Sequence, residues 1–486
     1  MSFTRRASPP APSICDPAHL SLTVGTILAV TIVALQGIAL ATMAPVLADD
    51  LGGRDLYGWI FTAFILPQII GTVLGGQEAD RRSPATVFLA NLVLFAVGCA
   101  LAGAASSIGM FFLGRALQGF GAGGVFACIY AVIGIAYEDR LRPSILAAVS
   151  SAFIIPSLIG PTIAGFIAEQ YSWRYVFFGF LPVLAVIAPL TFPAYRHVRR
   201  EPETGSAPSS APGSGTGGRR RLALAVLLAI GTGLVLSGLE LRPWPLALLT
   251  SALGLALLAP TLRHLLPDGT LSARPVLPGV INARGLLFGG FIVVETYMIF
   301  ALTEFGGASP TLAGVVLTAG SLTWTAGSLL QARWDRLAGP LMRPLRLAVG
   351  LGLTVIGGSA ILGCVAIFGD IWIEVALVAW LTTGLGIGLA YPTASSIAFA
   401  HAPPGQDGMV ASSTLLADLF AFSAGVGLAG VILALGESLN AGTVASAGAA
   451  IGLGVVMLSL AFAGSLRLYG ARDSVAVPVS RVITSP

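Results

Sequence analysis

"IIPSLIGPTIAGFIAEQ", residues 154–170, sets Pro156, Gly160, Pro161, Ala164 and Gly165 inside a run that is otherwise mostly aliphatic. In water each proline removes a helical hydrogen bond and costs a helix interior roughly 3 kcal/mol, so two in one short run argue against a soluble helix. In a bilayer the balance changes. Backbone groups must be satisfied within the protein, which keeps spanning segments helical, while neighbouring helices, hydroxyls and waters bond the carbonyls that a proline frees. Gly160 and Ala164 form a small-xxx-small pair that lets a second helix approach closely. The stretch therefore reads as a bent, tightly packed transmembrane helix, and the rest of the chain has to agree with it.

It does. Hydrophobic residues make up 55% of the 486 and charged residues only 10%, with mean hydropathy +0.88, against about 25% charged in a typical soluble domain. Apolar runs of about 20 residues recur along nearly the whole length, the length a helix needs to cross a hydrocarbon core of about 30 Å. The first of them is too long for a signal peptide and is expected to be a retained span. Cys15, Cys99, Cys128 and Cys364 are scattered without disulfide or metal spacing and read as packing residues.

Charged or Pro/Gly-rich punctuation divides the chain into fourteen expected spans, near 22–47, 57–77, 86–105, 108–136, 143–168, 174–194, 221–240, 244–262, 284–305, 310–331, 345–367, 372–397, 408–435 and 442–466. The chain contains no lysine, and its 26 basic residues are all arginine. With the N-terminus on the cytoplasmic side, only Arg54, Arg174 and Arg242 fall in outer loops and Arg115 falls within a helix; the rest, Arg284 among them, lie in inner loops and tails. That asymmetry satisfies the positive-inside rule and places both termini in the cytoplasm.

The longest polar segment, "RHVRREPETGSAPSSAPGSGTGGRRR" (196–221), is rich in Gly, Ser and Pro and reads as a flexible cytoplasmic linker. "GQEADRRSP" (76–84) and "QARWDRLAGP" (331–340) form a weak repeat if spans seven and eight are an inserted hairpin. The expected plan is a six-helix bundle over 1–195, a linker over 196–220, an extra hairpin over 221–272, a second six-helix bundle over 273–470 and a cytoplasmic tail over 471–486. This is the parallel repeat that transporters use.

Three motifs of the front half carry a resemblance that covers essentially the whole chain. Asp80 and Arg81 lie in "GGQEADRRSP", "RALQGFGAGG" (115–124) places Arg115 three residues before Gln118, and "GPTIAG" (160–165) precedes the Trp-Arg of "WRYVFF" (173–178). In these the chain resembles the 14-helix drug:proton antiporters of the major facilitator superfamily. The resemblance implies a gate at Asp80 and Arg81, and an antiporter interface built by Gly160, Pro161 and Gly165. Glu78, Ser83 and Pro84 stand where the family usually has Leu, Gly and Arg, and Gln36 stands in the first span where many members carry an acid.

The charges within spans read independently of any family. Arg115 lies ~10 Å inside its helix, where a guanidinium costs at least ~2.5 kcal/mol unless it finds a partner or water. It is a candidate for proton relay or substrate contact, with Gln118 one turn along the same face. Glu295 and Asp418 each fall ~16 Å into their spans, near the midplane. A carboxylate at that depth is cheapest to hold neutral, so either acid can carry the coupled proton; a static pair or a bond to backbone is the alternative. Glu304, Asp370, Glu374 and Glu437 fall near outer helix ends, where solvation is expected. Gln36, Gln118, Tyr297, Phe300, Trp324, Tyr391 and Phe422 are candidate walls of a cavity for apolar ligands.

The expected fold class is an all-α integral membrane protein with the major facilitator fold, two six-helix bundles plus two extra central helices. The expected activity is proton-coupled efflux of hydrophobic small molecules, cationic ones among them, by alternating access, with a dedicated exporter of one metabolite or lipid as the alternative. An integral membrane enzyme or a sensor fits less well, since His19, His197, His264 and His401 lie outside helix centres and no nucleophile–base pair, metal cluster or Walker sequence occurs. Expected partners are protons, small hydrophobic substrates and membrane lipids, with no nucleic acid, cofactor or metal. A monomer in the inner (plasma) membrane is the expected form.

Overall fold

The computed structural model describes residues 16–137, 154–196, 216–241, 244–274, 276–402 and 407–470, together with residues 141, 145, 148, 149, 152 and 198. Most of the expected linker, both tails with their arginines, Arg140, Arg142, Arg242 and Cys15 lie outside them, as does the side chain of Asp80.

Fourteen long helices run through the described residues. They are α1 (Pro17–Asp50), α2 (Tyr57–Arg81), α3 (Pro84–Gly103), α4 (Ile108–Ala136), α5 (Ile154–Gln170), α6 (Trp173–Arg196) and α7 (Thr216–Glu240). The series continues with α8 (Trp244–Leu265), α9 (Leu277–Glu304), α10 (Pro310–Ala338), α11 (Arg343–Phe368), α12 (Ile373–Ala400), α13 (Asp407–Ser438) and α14 (Thr443–Gly470). Thirteen are long and apolar enough to cross a membrane, and the other, α5, shows 17 described residues.

The helices coincide with the expected spans, and the larger differences fall at the starts of α1, α7 and α9 and at the end of α10. Helix α9 begins at Leu277 rather than at Arg284, because Pro278 occupies a first-turn position where its missing N–H costs nothing. Arg284 is therefore an intramembrane residue, not the loop arginine expected from topology. Likewise α7 begins at Thr216, so Arg219–Arg221 belong to its opening turns rather than to the linker.

Helices α1–α6 form one bundle and α9–α14 another, with matching internal pairings. In the first, α1 packs on α5 and α6, α2 on α4, and α3 on α4 and α6. In the second, α9 packs on α13 and α14, α10 on α12, and α11 on α12 and α14. Across the middle, α2 meets α13 and α5 meets α10, contacts that exchange when the halves are exchanged. That is the mark of a pseudo-twofold axis.

Both seams close toward the end of the molecule at which α1 finishes, called here the distal end; α1 begins and α14 finishes at the opposite, termini end. Closure uses glycine on each seam. A Cβ on Gly58 of α2 would stand 2.8 Å from the Val426 carbonyl and 3.1 Å from Gly430 Cα on α13. On the other seam Gly165 lies against the Pro310 carbonyl and Gly314 against the Pro161 carbonyl, so α5 and α10 cross at backbone contact. The Thr162 and Thr318 hydroxyls bond at 3.0 Å, and Glu169 accepts from the amide (3.2 Å) and hydroxyl (2.6 Å) of Thr311.

Charges reinforce this end. Arg54 pairs with Asp49 of its own half and, at 3.0 Å, with Glu304 of the other. Glu304, expected to be solvated, instead has a side chain only 11% exposed. The Trp-Arg of the sequence serves the same rim: Trp173 and Arg174 donate to Asp50 at 3.1 and 2.6 Å, and Arg174 also donates to the Ala105 carbonyl.

Helices α7 and α8 pack together, and α7 leans on both α2 and α13. Leu236 sits over Gly427, Gly233 faces Leu66 and Trp59, and Gln77 donates to the Gly218 carbonyl at 2.8 Å. The inserted hairpin thus covers one seam from outside, presenting Leu248, Leu249, Leu253 and Leu255 of α8 outward.

Candidate functional site

Helix α9 carries a stripe of side chains that reach accessible space. Arg284, Phe288, Ile292 and Glu295 are half-buried, as are Asn282 and Leu286 nearer the start of the helix, whereas 283, 285, 287, 289–291, 293, 294 and 296–302 are buried. Their spacing of four, four and three residues puts all four on one helical face. A cation and a carboxylate, three turns and ~16 Å apart along the axis, bracket an apolar middle.

At the termini-end side of the stripe, Arg284 donates through Nη2 to Asp418 Oδ2 on α13 at 2.8 Å and to the Tyr391 hydroxyl on α12. The Tyr391 hydroxyl also donates to Asp418 at 2.7 Å, and the guanidinium lies 4.3 Å from the Tyr391 ring centre. Asp418 is 2% exposed, so the pair forms where water screens it little. Its bonding is incomplete: Asp418 Oδ1 and Arg284 Nε are buried without a partner, and Nη1 makes no bond to described residues. Tyr130 of α4, half exposed, lies within electrostatic reach of Arg284 from the opposite half. The glycine crossings close the distal end, whereas Tyr130 on the termini-end side stays half exposed.

Glu295 is the contrasting charge. It makes no hydrogen bond or ion pair with any described residue, and it lies nine residues, ~13 Å, from the distal end of α9. A half-buried carboxylate with no fixed cation can take a proton or a ligand's cation, but not both at once.

The aromatic candidates divide into two groups. Phe288 packs on Tyr391 (5.7 Å) and Phe422 (6.2 Å), and Trp324 packs on Tyr391 (6.4 Å) and Phe291 (5.2 Å), so Trp324, Tyr391 and Phe422 line one wall beside the α9 stripe. Tyr297 and Phe300 are elsewhere: both are fully buried against Tyr57 at the distal closure, and Tyr297 donates to the Val426 carbonyl.

Arg115 and Gln118 form a separate network inside the first bundle. Arg115, 2% exposed, donates to the Ile60 carbonyl (3.3 Å) and to Gln118 Oε1 (2.9 Å) and lies 4.4 Å from the Phe64 ring centre; Gln118 in turn donates to Cys99 Sγ. The guanidinium is held without a carboxylate, by a carbonyl, an amide and a π-face. Gln36 on α1 is fully buried, and neither amide atom finds a described partner.

Near the termini end Arg81 is exposed, and Glu78 pairs with Arg82 at 2.9 Å. In the repeat, Asp335 binds Arg343 through both oxygens (2.9 and 2.7 Å) and also Arg346. Gly160 and Pro161 are buried in α5, and Pro161 and Gly165 supply its crossing with α10.

Sequence reasoning missed Arg284, Phe288 and Tyr130. The available signal for Arg284 was the leucine–proline seven residues upstream, which is helix-opening chemistry rather than loop.

Comparison with known proteins agrees with this architecture. The model of the Major Facilitator Superfamily matches residues 26–426. The probable multidrug-efflux transporter Rv1634 of Mycobacterium tuberculosis is 26% identical over 449 residues, covering 88% of this chain and 90% of that one. The multidrug efflux pump SdrM of Staphylococcus aureus is 31% identical over 155 residues, 32% of this chain and 34% of that one. Among solved structures, an auto-inhibited POT family peptide transporter superposes with TM-score 0.64 at 18% identity, over 93% of this chain and 97% of that one. A D-xylose-proton symporter does so with TM-score 0.59 at 15% identity, over 91% and 96%. With two matched six-helix bundles, a distal closure and a family match spanning both, this chain is a multi-pass membrane transporter and belongs to the major facilitator superfamily.

Proposed function

We propose that this transporter exports hydrophobic small molecules, cationic ones among them, in exchange for protons. The observation that carries the reading is Glu295, an unpartnered carboxylate on the accessible face of α9. Proton and cationic substrate compete for it, and that competition couples their opposite movements. With the arginine-rich side in the cytoplasm of a cell with an inner or plasma membrane, the conformation described here faces inward. Substrate enters from the cytoplasm or inner leaflet, displaces the proton, and leaves after the halves rock about the two glycine crossings. Asp418, paired with Arg284, is the second candidate proton carrier, and the protein works as a monomer. The multidrug-efflux relatives support the substrate class.

The test is reconstitution into liposomes with an imposed pH gradient and an ethidium-like cationic dye. Wild type is expected to move dye only with the gradient present, and Glu295→Gln is expected to lose that dependence. Gradient-driven movement retained at the wild-type rate in Glu295→Gln would refute the assignment.

A further inference from the structure

The face of α9 that holds Glu295 also points to the charge pattern of the preferred substrate. Arg284 uses one nitrogen, Nη2, for both of its bonds, and Nη1 has no partner among the described residues. The guanidinium is held in place by the ring of Tyr391 and by Asp418, so its free donors have a fixed direction. A fixed guanidinium with unused N–H groups is a receptor for a carboxylate or another oxyanion. Tyr130, from the other half, is half exposed, lies within electrostatic reach of Arg284 and has a hydroxyl to donate. Three turns along the stripe stands Glu295, with neither cation nor donor. Phe288 and Ile292 lie between, backed by Trp324, Tyr391 and Phe422.

We propose that the preferred substrates are elongated aromatic zwitterions, with an anionic group at Arg284, a cationic amine at Glu295 and a flat apolar body across Phe288 and Ile292. The proposal rests on the antiport reading above and refines its substrate class. A simple cation uses only the Glu295 end, whereas a zwitterion fills both ends, and each of its charges meets an opposite charge that offsets its desolvation. Its anion, bridging Arg284 of one half and Tyr130 of the other, also draws the halves together at the open end. Proton exchange is unaffected in sign, because the amine still displaces the proton at Glu295 while the acid engages a group that stays charged. The groups facing Arg284 are Asp418 from α13, Tyr391 from α12 and Tyr130 from α4.

The experiment compares three probes on one frame: biphenyl carrying an aminomethyl group at one end and a carboxylate at the other, the aminomethyl compound alone, and the carboxylate alone. Binding to the purified protein in nanodiscs is measured by calorimetry. The zwitterion is expected to bind about tenfold or more tighter than either singly charged probe, the scale of one additional charge-assisted hydrogen bond. Removing Arg284 alone strands the buried Asp418, so the informative variant is the double Arg284→Gln, Asp418→Asn. It should reduce the zwitterion to the affinity of the amine in the same variant. Arg284→Lys, which keeps the charge, should retain part of the preference. A zwitterion-to-amine ratio unchanged in the double variant overturns the proposal, as does a wild type that binds the amine as tightly as the zwitterion. Proteoliposome flux separates the two levels. Gradient-driven movement of the amine with no zwitterion preference leaves antiport standing and sinks this inference. A zwitterion preference that follows Arg284, with no gradient-driven flux of any probe, does the reverse.

Discussion

Glu295 and Arg284 illustrate what position along a chain does and does not disclose. The depth of Glu295 was counted from Arg284, which lies seven residues inside α9, whereas that of Asp418 was legible, because its helix does begin at Asp407. Azimuth was not: Tyr297 sits two residues beyond Glu295 yet faces Tyr57 at the distal closure, while Phe288 faces the accessible wall. Nor was the Arg284–Asp418 pair, which joins residues 134 positions apart in sequence. The pair makes a sharp prediction at this scale. Arg284→Gln leaves a buried carboxylate uncompensated and is expected to destabilise the protein by about 3–5 kcal/mol, with the double variant including Asp418→Asn recovering at least half of it. Thermal unfolding of the two single variants and the double in detergent checks this; additive losses would mean the charges do not interact. Tyr391→Phe removes one donor to Asp418 and keeps the ring under the guanidinium, so about 1–2 kcal/mol is expected by the same measurement.

At the scale of helices, the prolines and glycines of residues 154–170 find their explanation in a partner that sequence alone does not name. Close packing was readable from the small residues, but Pro310 and Gly314 of α10 as the opposing surface were not, since they lie in the other half of the chain. Because Gly165 meets the Pro310 carbonyl and Gly58 meets the Val426 carbonyl, a branched side chain at either position forces the distal ends apart. Gly165→Val is expected to shift the population toward a distally open form. Spin labels at Tyr171 and Leu312, both exposed near the distal rim of that seam, should report a longer and broader distance distribution in the variant than in wild type. An unchanged distribution would show that the crossing does not hold the gate. Cys99, Cys128 and Cys364 are buried, which keeps background labelling of the described residues low.

For the molecule as a whole, the number of helices followed from apolar run length, a property summed over many residues and so insensitive to local error, and the two-bundle plan followed from the weak repeat of residues 76–84 in 331–340. The place of the inserted hairpin did not, because its helices are apolar over most of their length; the structure sets α7 across the α2–α13 seam. Among the described residues the bundles bury fixed charges, such as Arg115 in its network, Arg284 with Asp418 and Arg346 with Asp335, and Glu295, half-buried, has no described partner. The proposed exchange rests on such a group. Linkage then sets the sign of the pH dependence: affinity for a cationic ligand rises with pH through the range in which Glu295 loses its proton, and Glu295→Gln flattens that dependence. The most direct measurement is proton release on binding, following the pH of a lightly buffered solution of purified protein as tetraphenylphosphonium is added. In the pH range where Glu295 is protonated, wild type is expected to release about one proton per cation bound and Glu295→Gln none. Binding without proton release anywhere between about pH 5 and 9, or equal release from the variant, would contradict competition at Glu295.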